Sequence, residues 1–108
     1  QEFEWFNYRE NNKDLQERGF TEPNPMTPGM FGYSVLRSSE NSEFFHDLFD
    51  LLEEFGVPLE GLHTETGPGV LEAAIQYGEV LESADRAVLF KTAVKEIAYK
   101  HGYTIWFK

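Results

Sequence analysis

A Gly-Pro-Gly turn at residues 67–69 is the feature that most restricts how this chain can fold. Runs of strand-like composition lie on both sides of it, at residues 57–65 and 70–77. Two such runs joined by turn residues predict a β-hairpin. The hairpin would place the acidic side chains of Glu65 and Glu72 on either side of its turn.

Two other segments have the apolar spacing that is typical of amphipathic helices. In the first, Ser42 occupies the place of an N-cap and Gly56 that of a left-handed stop. The second helix is predicted to begin at a cap on Ser83 and to end at Gly102. We expect both apolar stripes to pack against a sheet. They consist of Phe44, Phe45, Leu48, Phe49, Leu51, Leu52 and Phe55 in the first helix, and of Ala87, Phe90, Val94 and Ile97 in the second.

Aromatic-rich runs at residues 2–8 and 103–107 predict a first and a last strand. Residues 9–38 contain prolines and glycines without a sustained period, so they predict a long loop, either a lid or a floppy insertion. With 108 residues, we expect a single domain, 1–108. The element order predicts a ferredoxin-like α+β fold, βαββαβ. Its four-stranded antiparallel sheet would carry two helices on one face, with the first and third strands at its centre.

Alternation along the predicted strands places several carboxylates together on the face without helices. Glu2 and Glu4 share one face of the first strand, and Glu72 would lie beside them, with Glu65 at the end of the adjacent strand. Such crowding of like charges requires a cation, basic partners or shared protons. For a cation, oxygen ligands without cysteine favour Mg²⁺ or Mn²⁺. His63 offers an accessory imidazole. Two alternatives stay open: ordinary solvent-facing glutamates, and a carboxylate pair for glycoside hydrolysis.

Composition narrows the class of partner. The formal net charge is −10, from 19 acidic and 9 basic residues, which argues against nucleic acid and favours a divalent cation. The chain has no cysteine, which fits a cytoplasmic setting. No apolar run is long enough to span a membrane. The sequence also lacks phosphate-loop, serine-hydrolase and zinc-protease motifs.

Residues 2–6 read Glu-Phe-Glu-Trp-Phe, and residues 56–72 read Gly-Val-Pro-Leu-Glu-Gly-Leu-His-Thr-Glu-Thr-Gly-Pro-Gly-Val-Leu-Glu. With the helical segment 84–102, they resemble the glutamine synthetase family, specifically its bacterial-type ligases. The resemblance covers most of the chain. Val70 departs from the family pattern, which usually has Gln there, and this departure affects expected substrate contacts. The last strand also differs, since it ends in Ile-Trp-Phe-Lys rather than Phe-Met-x-Lys.

This resemblance implies specific roles for the acidic residues. Glu4, Glu65 and Glu72 match the carboxylates that bind the metal near the acceptor substrate, and Glu2 matches a ligand of a second metal near the nucleotide phosphates. The implied enzyme uses ATP, in the full-length family context, to phosphorylate a glutamate-like substrate. Ammonia or an amine then displaces the phosphate. The implied cofactor is Mg²⁺ or Mn²⁺.

By the same resemblance, the chain corresponds to the metal-carboxylate-bearing first half of a catalytic domain. We therefore expect no ligase activity from the isolated chain. One alternative is an excised or engineered ferredoxin-like domain without catalytic activity. Another is an interaction module that forms a homo-oligomer through the open sheet face or an edge. Exposure of aromatic or apolar side chains on that face would favour the module, and the candidates are Phe6, Tyr8, Ile105 and Trp106.

Overall fold

In a computed structural model, the described part of the chain forms four strands and four helices. The structure describes residues 2–10, 12–17, 19, 23–29, 32–76 and 80–108. In chain order the elements are β1 (Glu2–Tyr8), α1 (Asn12–Glu17), α2 (Val35–Glu40), α3 (Ser42–Glu54), β2 (Leu59–Thr64), β3 (Val70–Ile75), α4 (Val80–Lys100) and β4 (Thr104–Phe107).

The sheet has the strand order β2-β3-β1-β4, and every neighbouring pair is antiparallel. This is the predicted ferredoxin-like α+β arrangement, with β1 and β3 at the centre. The register places Glu72 of β3 opposite Glu4 of β1 on one side and opposite His63 of β2 on the other. Three candidate ligands therefore lie in one row across the sheet.

Helices α3 and α4 cover one face of the sheet, as predicted. Trp5 of β1 is fully buried there, and its ring meets the ring of Phe90 edge-on at a centroid distance of 5.7 Å. Phe3 stacks on the same Phe90 ring at 4.9 Å. Apolar residues of β1 thus face the helices, because side chains alternate along a strand. Other members of the core are Phe44, Leu48, Leu52, Leu71, Ile75, Val94 and Ile97.

The structure differs from the expected long loop at residues 9–38, because α1 lies within it and α2 begins within it. Each is six residues long, too short to show a helical period and too short to be stable alone. Long-range contacts hold this segment instead. Leu15 and Met26 are buried, and Pro25 forms an isolated bridge with Tyr8.

The ends of α3 lie close to the predicted ones. The N-cap is Asn41 rather than Ser42, and it makes no side-chain capping hydrogen bond. Gly56 follows the helix with φ 79°, the predicted left-handed stop. Phe49 and Phe55 were predicted in the buried stripe, but they are 37% and 55% exposed, because they lie at its margin.

The start of α4 was predicted too late in the chain. This helix begins at Val80, so Ser83 lies within it and does not cap it, whereas Gly102 follows its end with φ 78° as expected. Residue 77, the predicted end of the third strand, lies outside the described residues. Among the described helices, none combines the length and the apolar character needed to cross a bilayer.

The open face of the sheet carries a row of aromatic rings. Phe6 and Tyr8 stack at 6.2 Å, and Trp106 of β4 meets Tyr8 edge-on at 4.9 Å. Trp106 is 38% exposed, whereas Ile105 is buried toward the helices. Of the residues that would mark an interaction face, the structure therefore exposes Trp106 and buries Ile105.

Candidate metal centre

The turn between β2 and β3 is fixed to β1 through Gly69. The Gly69 carbonyl accepts hydrogen bonds from the backbone N–H of Asn7 at 2.8 Å and from its side-chain amide at 2.9 Å. The Gly69 N–H donates to the hydroxyl of Thr27 at 3.0 Å. Gly69 has φ 71°, and a Cβ there would collide with the Asn7 carbonyl oxygen. Glycine at this position therefore lets the hairpin dock on the central strand.

Docking of the hairpin brings three candidate ligands together. His63 lies opposite Glu72 in the ladder, and Glu65 follows two residues after His63, with its N–H donating to the carbonyl of Val70 at 3.0 Å. His63, Glu65 and Glu72 each offer a ligand atom, and these atoms lie within 4.8 Å of one another. The side chain of His63 is 33% exposed and that of Glu65 16%. The cluster is thus sheltered but open to small ligands.

Two hydrogen bonds favour the charged form of Glu65. Its carboxylate accepts from the N–H of Thr66 at 2.9 Å and from the Thr66 hydroxyl at 3.2 Å. The backbone bond is the largest cause that lowers the pKa of Glu65, and hydrogen bonds from Glu72 and Tyr33 lower it further. Because donors stabilise a carboxylate, Glu65 is the more acidic member of the pair.

The pKa of Glu72 is shifted in the opposite direction, upward. Burial raises its pKa first, and the hydrogen bond with Glu65 raises it further. The charges of Glu2 and Glu4 act in the same sense, while His63 lowers the value. Two carboxyl groups that meet without a cation relieve their repulsion by sharing a proton. Of the two, Glu72 is therefore the carboxyl group that ionises at the higher pH.

The ring of His63 presents Nδ1 to the cluster. This nitrogen lies 4.0 Å from a carboxylate oxygen of Glu65 and 3.1 Å from the carbonyl oxygen of Thr64. In the neutral ring, the tautomer decides whether Nδ1 donates to that carbonyl or offers its lone pair. The ring of Tyr33 stacks on His63 at 4.4 Å.

Tyr33 is the site residue that sequence reasoning missed. Its N–H donates to the carbonyl of Thr64 at 2.6 Å, and its φ of 56° is unusual for a residue with a side chain. The negative charge of Glu65 is the main cause that raises the pKa of Tyr33, and its hydroxyl hydrogen-bonds that carboxylate. No local pattern marks Tyr33, because these contacts join residues distant in sequence.

Glu2 and Glu4 lie on the same sheet face but outside the group of three. Glu4 is opposite Glu72 in the ladder, and its carboxylate binds the ammonium group of Lys108 at 2.5 Å. The backbone of Lys108 is also fixed there, since its N–H donates to the Glu4 carbonyl at 3.0 Å. Glu2 is exposed, opposite Ala74. The structure therefore brings His63, Glu65 and Glu72 together and pairs Glu4 with a lysine.

The donor set fits a divalent cation of the Mg²⁺ or Mn²⁺ type. Two carboxylates and one imidazole supply oxygen and nitrogen, and the chain has no thiolate. Carboxylate ligands with positions left for water are the usual environment of Mg²⁺ and Mn²⁺.

A family model and two relatives of known sequence match this chain over most of its length. Residues 1–108 match the model of the glutamine synthetase catalytic domain. Type-1 glutamine synthetase 2 of Dictyostelium discoideum is 62% identical over 101 residues, which cover 94% of this chain and 19% of that protein. Glutamate–isopropylamine ligase of a Pseudomonas species is 32% identical over 106 residues, covering 98% and 23%. The chain thus spans about a fifth of the length of these relatives.

Solved structures agree on the fold. The GmaS/ADP complex superposes with a TM-score of 0.74 at 19% sequence identity, covering 97% of this chain and 23% of that one. GmaS without ligand gives a TM-score of 0.75 at 20% identity, covering 97% and 24%. At this level of identity, the likeness shows a shared fold and no more.

Proposed function

The chain belongs to the glutamine synthetase catalytic-domain family, and from that premise we propose that it carries the cation-binding part of an ATP-dependent ligase. The reaction would join a carboxyl group of a glutamate-like substrate to ammonia or an amine. The family match and the names of two relatives, a glutamine synthetase and a glutamate–isopropylamine ligase, support this class of reaction. Because the chain spans about a fifth of those relatives, the activity of a complete ligase is part of the proposal.

We assign the cation to His63, Glu65 and Glu72. The observation that carries this assignment is the convergence of their three ligand atoms within 4.8 Å. When bound, a divalent cation supplies positive charge for phosphoryl transfer and a template for the oxygens involved.

The protein's own groups have distinct parts in this proposal. Glu65 is held as an anion by Thr66, so it is ready to bind a cation. Glu72 would release its proton on binding, because cations bind the ionised carboxylate. Tyr33 is a positioning residue, since it stacks on His63 and hydrogen-bonds Glu65.

Glu4 and Glu2 enter the proposal through the family resemblance. Glu4 would complete the first cation site and Glu2 would serve a second, near the nucleotide phosphates. Lys108 competes for Glu4, since its ammonium group occupies the carboxylate. If Glu4 binds the cation, Lys108→Met should increase Mn²⁺ affinity severalfold, because the competing positive charge is removed. Unchanged or weaker affinity would exclude Glu4 from the first site.

The proposal is tested by titrating the chain with Mn²⁺ and following the loss of the free-ion electron paramagnetic resonance signal. Wild type should bind saturably. Glu65→Gln and Glu72→Gln should each weaken binding at least tenfold, because each removes one anionic ligand while preserving side-chain shape. Glu53→Gln is the matched control, since Glu53 is an exposed glutamate on α3, in the layer on the other face of the sheet.

Equal affinities for all these variants would refute the assignment. Absence of saturable binding would instead support the alternative in which the carboxylates are relics in a domain without catalytic activity. Circular dichroism of each variant shows whether a loss of binding reflects unfolding.

A further inference from the structure

Glu65 lies just beyond the strand ladder that fixes its partner Glu72. Strand β2 ends one residue before Glu65, whereas Glu72 lies within β3 and pairs with residues of both neighbouring strands. The N–H of Glu65 donates to the carbonyl of Val70, and its carboxylate accepts from the N–H of Thr66 in the turn. The conformation of the turn at residues 66–69 therefore decides where the Glu65 carboxylate lies relative to Glu72.

The side chain of Asn7 holds this turn from within the protein core. Asn7 is fully buried, and its side-chain amide donates to the carbonyl of Gly69 at 2.9 Å, beside the bond from its backbone N–H. The Oδ1 atom of Asn7 accepts from the indole N–H of Trp5 at 3.0 Å. An indole N–H can only donate and a carbonyl can only accept, so the amide has a single orientation. Burial of an amide is costly unless it is hydrogen-bonded, and here both of its ends are.

Thr27 holds the other backbone group of Gly69. It is 5% exposed, and its hydroxyl accepts from the N–H of Gly69 at 3.0 Å. The adjacent Met26 is buried, and its N–H donates to the carbonyl of Asn7 at 2.9 Å. Part of the segment that was expected to be a lid or a floppy insertion is thus bonded both to β1 and to the turn.

We propose that Asn7 and Thr27 are positioning residues that keep the Glu65 carboxylate beside Glu72 before a cation binds. Their side chains fix the carbonyl and the N–H of Gly69, which keeps the turn on β1 and its donors in place around Glu65. A site whose ligands are already ordered binds more tightly, because binding does not have to order them. The effect on cation affinity rests on the proposed function, whereas the placement of Glu65 does not.

Hydrogen exchange followed by nuclear magnetic resonance in chelator tests the placement of Glu65 without a cation. Thr27→Val removes the acceptor of the Gly69 N–H at nearly the same side-chain shape, and Thr27→Ser keeps the hydroxyl. Relative to core amides of α4, the amide of Glu65 should exchange about tenfold faster in Thr27→Val, because the turn opens locally. Thr27→Ser should exchange as wild type does.

Asn7→Leu removes the amide at a similar side-chain volume and should accelerate the same exchange. Ile97→Val is the control for a general loss of stability, since it shortens a buried side chain of α4. This control should not accelerate the exchange of Glu65 beyond that of the core amides. If Asn7→Leu does not fold, the two Thr27 variants decide the question.

Mn²⁺ affinity tests the consequence for the site. Thr27→Val and Asn7→Leu should each bind Mn²⁺ about tenfold more weakly than wild type, whereas Thr27→Ser and Ile97→Val should bind as wild type does. Two results would overturn the proposal: exchange of Glu65 that rises no more than that of the core, and unchanged Mn²⁺ affinity in variants whose turn has loosened. Absence of saturable binding by wild type would count against the proposed function alone, because the exchange comparison still decides the placement of Glu65.

Discussion

At the scale of single residues, the cluster depends on unequal environments for two carboxyl groups. Glu65 accepts hydrogen bonds from Thr66 that favour its anion, whereas Glu72 is half-buried and donates to Glu65. The pair therefore carries less than its full negative charge in the absence of a cation. A bound cation would reverse the balance, because it favours ionisation of both groups.

This inequality predicts a pH-dependent effect of Glu72→Gln. The folded pKa of Glu72 is raised, so wild type loses folding free energy as the pH rises from the ordinary pKa of the group through the raised one. Glutamine cannot ionise, and the variant should unfold at a temperature about 2 °C higher than wild type at pH 7 without cations. Below about pH 4, both states of wild type are protonated and the difference should disappear.

Thermal unfolding followed by circular dichroism in chelator measures this difference. Saturating Mn²⁺ should reverse the order, because wild type gains stability from binding and the variant gains little. If the variant is instead less stable than wild type at pH 7 in chelator, ionisation of Glu72 does not destabilise the folded state.

At the scale of elements, the β2–β3 hairpin owes its position to one glycine. Gly69 approaches β1 so closely that its carbonyl accepts two hydrogen bonds from Asn7, and its N–H donates to Thr27 in the following segment. Glu65 and Glu72 lie on the two arms of this hairpin. The packing of the turn on β1 thus fixes where Glu65 and Glu72 lie relative to the central strand.

Gly69→Ala is predicted to be much more harmful than an alanine at another glycine of positive φ. Gly56 has φ 79°, and no atom lies within 4 Å of the position that a Cβ would take, so Gly56→Ala should cost about 1 kcal/mol of backbone strain. At Gly69 the same strain is joined by collision with the Asn7 carbonyl, and we expect a loss of about 3 kcal/mol or more. Urea unfolding gives both values, and similar losses would contradict the close approach.

The elements that could be predicted are those marked by a pattern of residues close together in the sequence. The apolar periods around Leu48 and Val94 predict α3 and α4, and alternation at Trp5 and Leu71 predicts which face they cover. Strand phase and turn position predicted Glu2, Glu4 and Glu72 on one face, with Glu65 at the end of the adjacent strand and His63 as an accessory. The group that converges is instead His63, Glu65 and Glu72. Contacts between distant segments could not be predicted in this way. They include the bonds that Tyr33 and Lys108 make to the site, and the burial of Leu15 in a six-residue helix.

At the scale of the whole molecule, the two faces of the sheet differ. One face is closed by α3 and α4, and the open face carries the acidic cluster. Glu65 and Glu72 therefore lie where a cation would reduce their repulsion. Binding there would also stabilise the fold, since the ligands come from two strands and the turn between them.

The most direct test is a crystal structure of the chain grown with Mn²⁺, using anomalous scattering to locate the ion. The account predicts one strong peak about 2.0 to 2.5 Å from carboxylate oxygens of Glu65 and Glu72, with the imidazole of His63 directed at it. A peak only among the exposed acids of α3, or no peak at the cluster at saturating Mn²⁺, would contradict it.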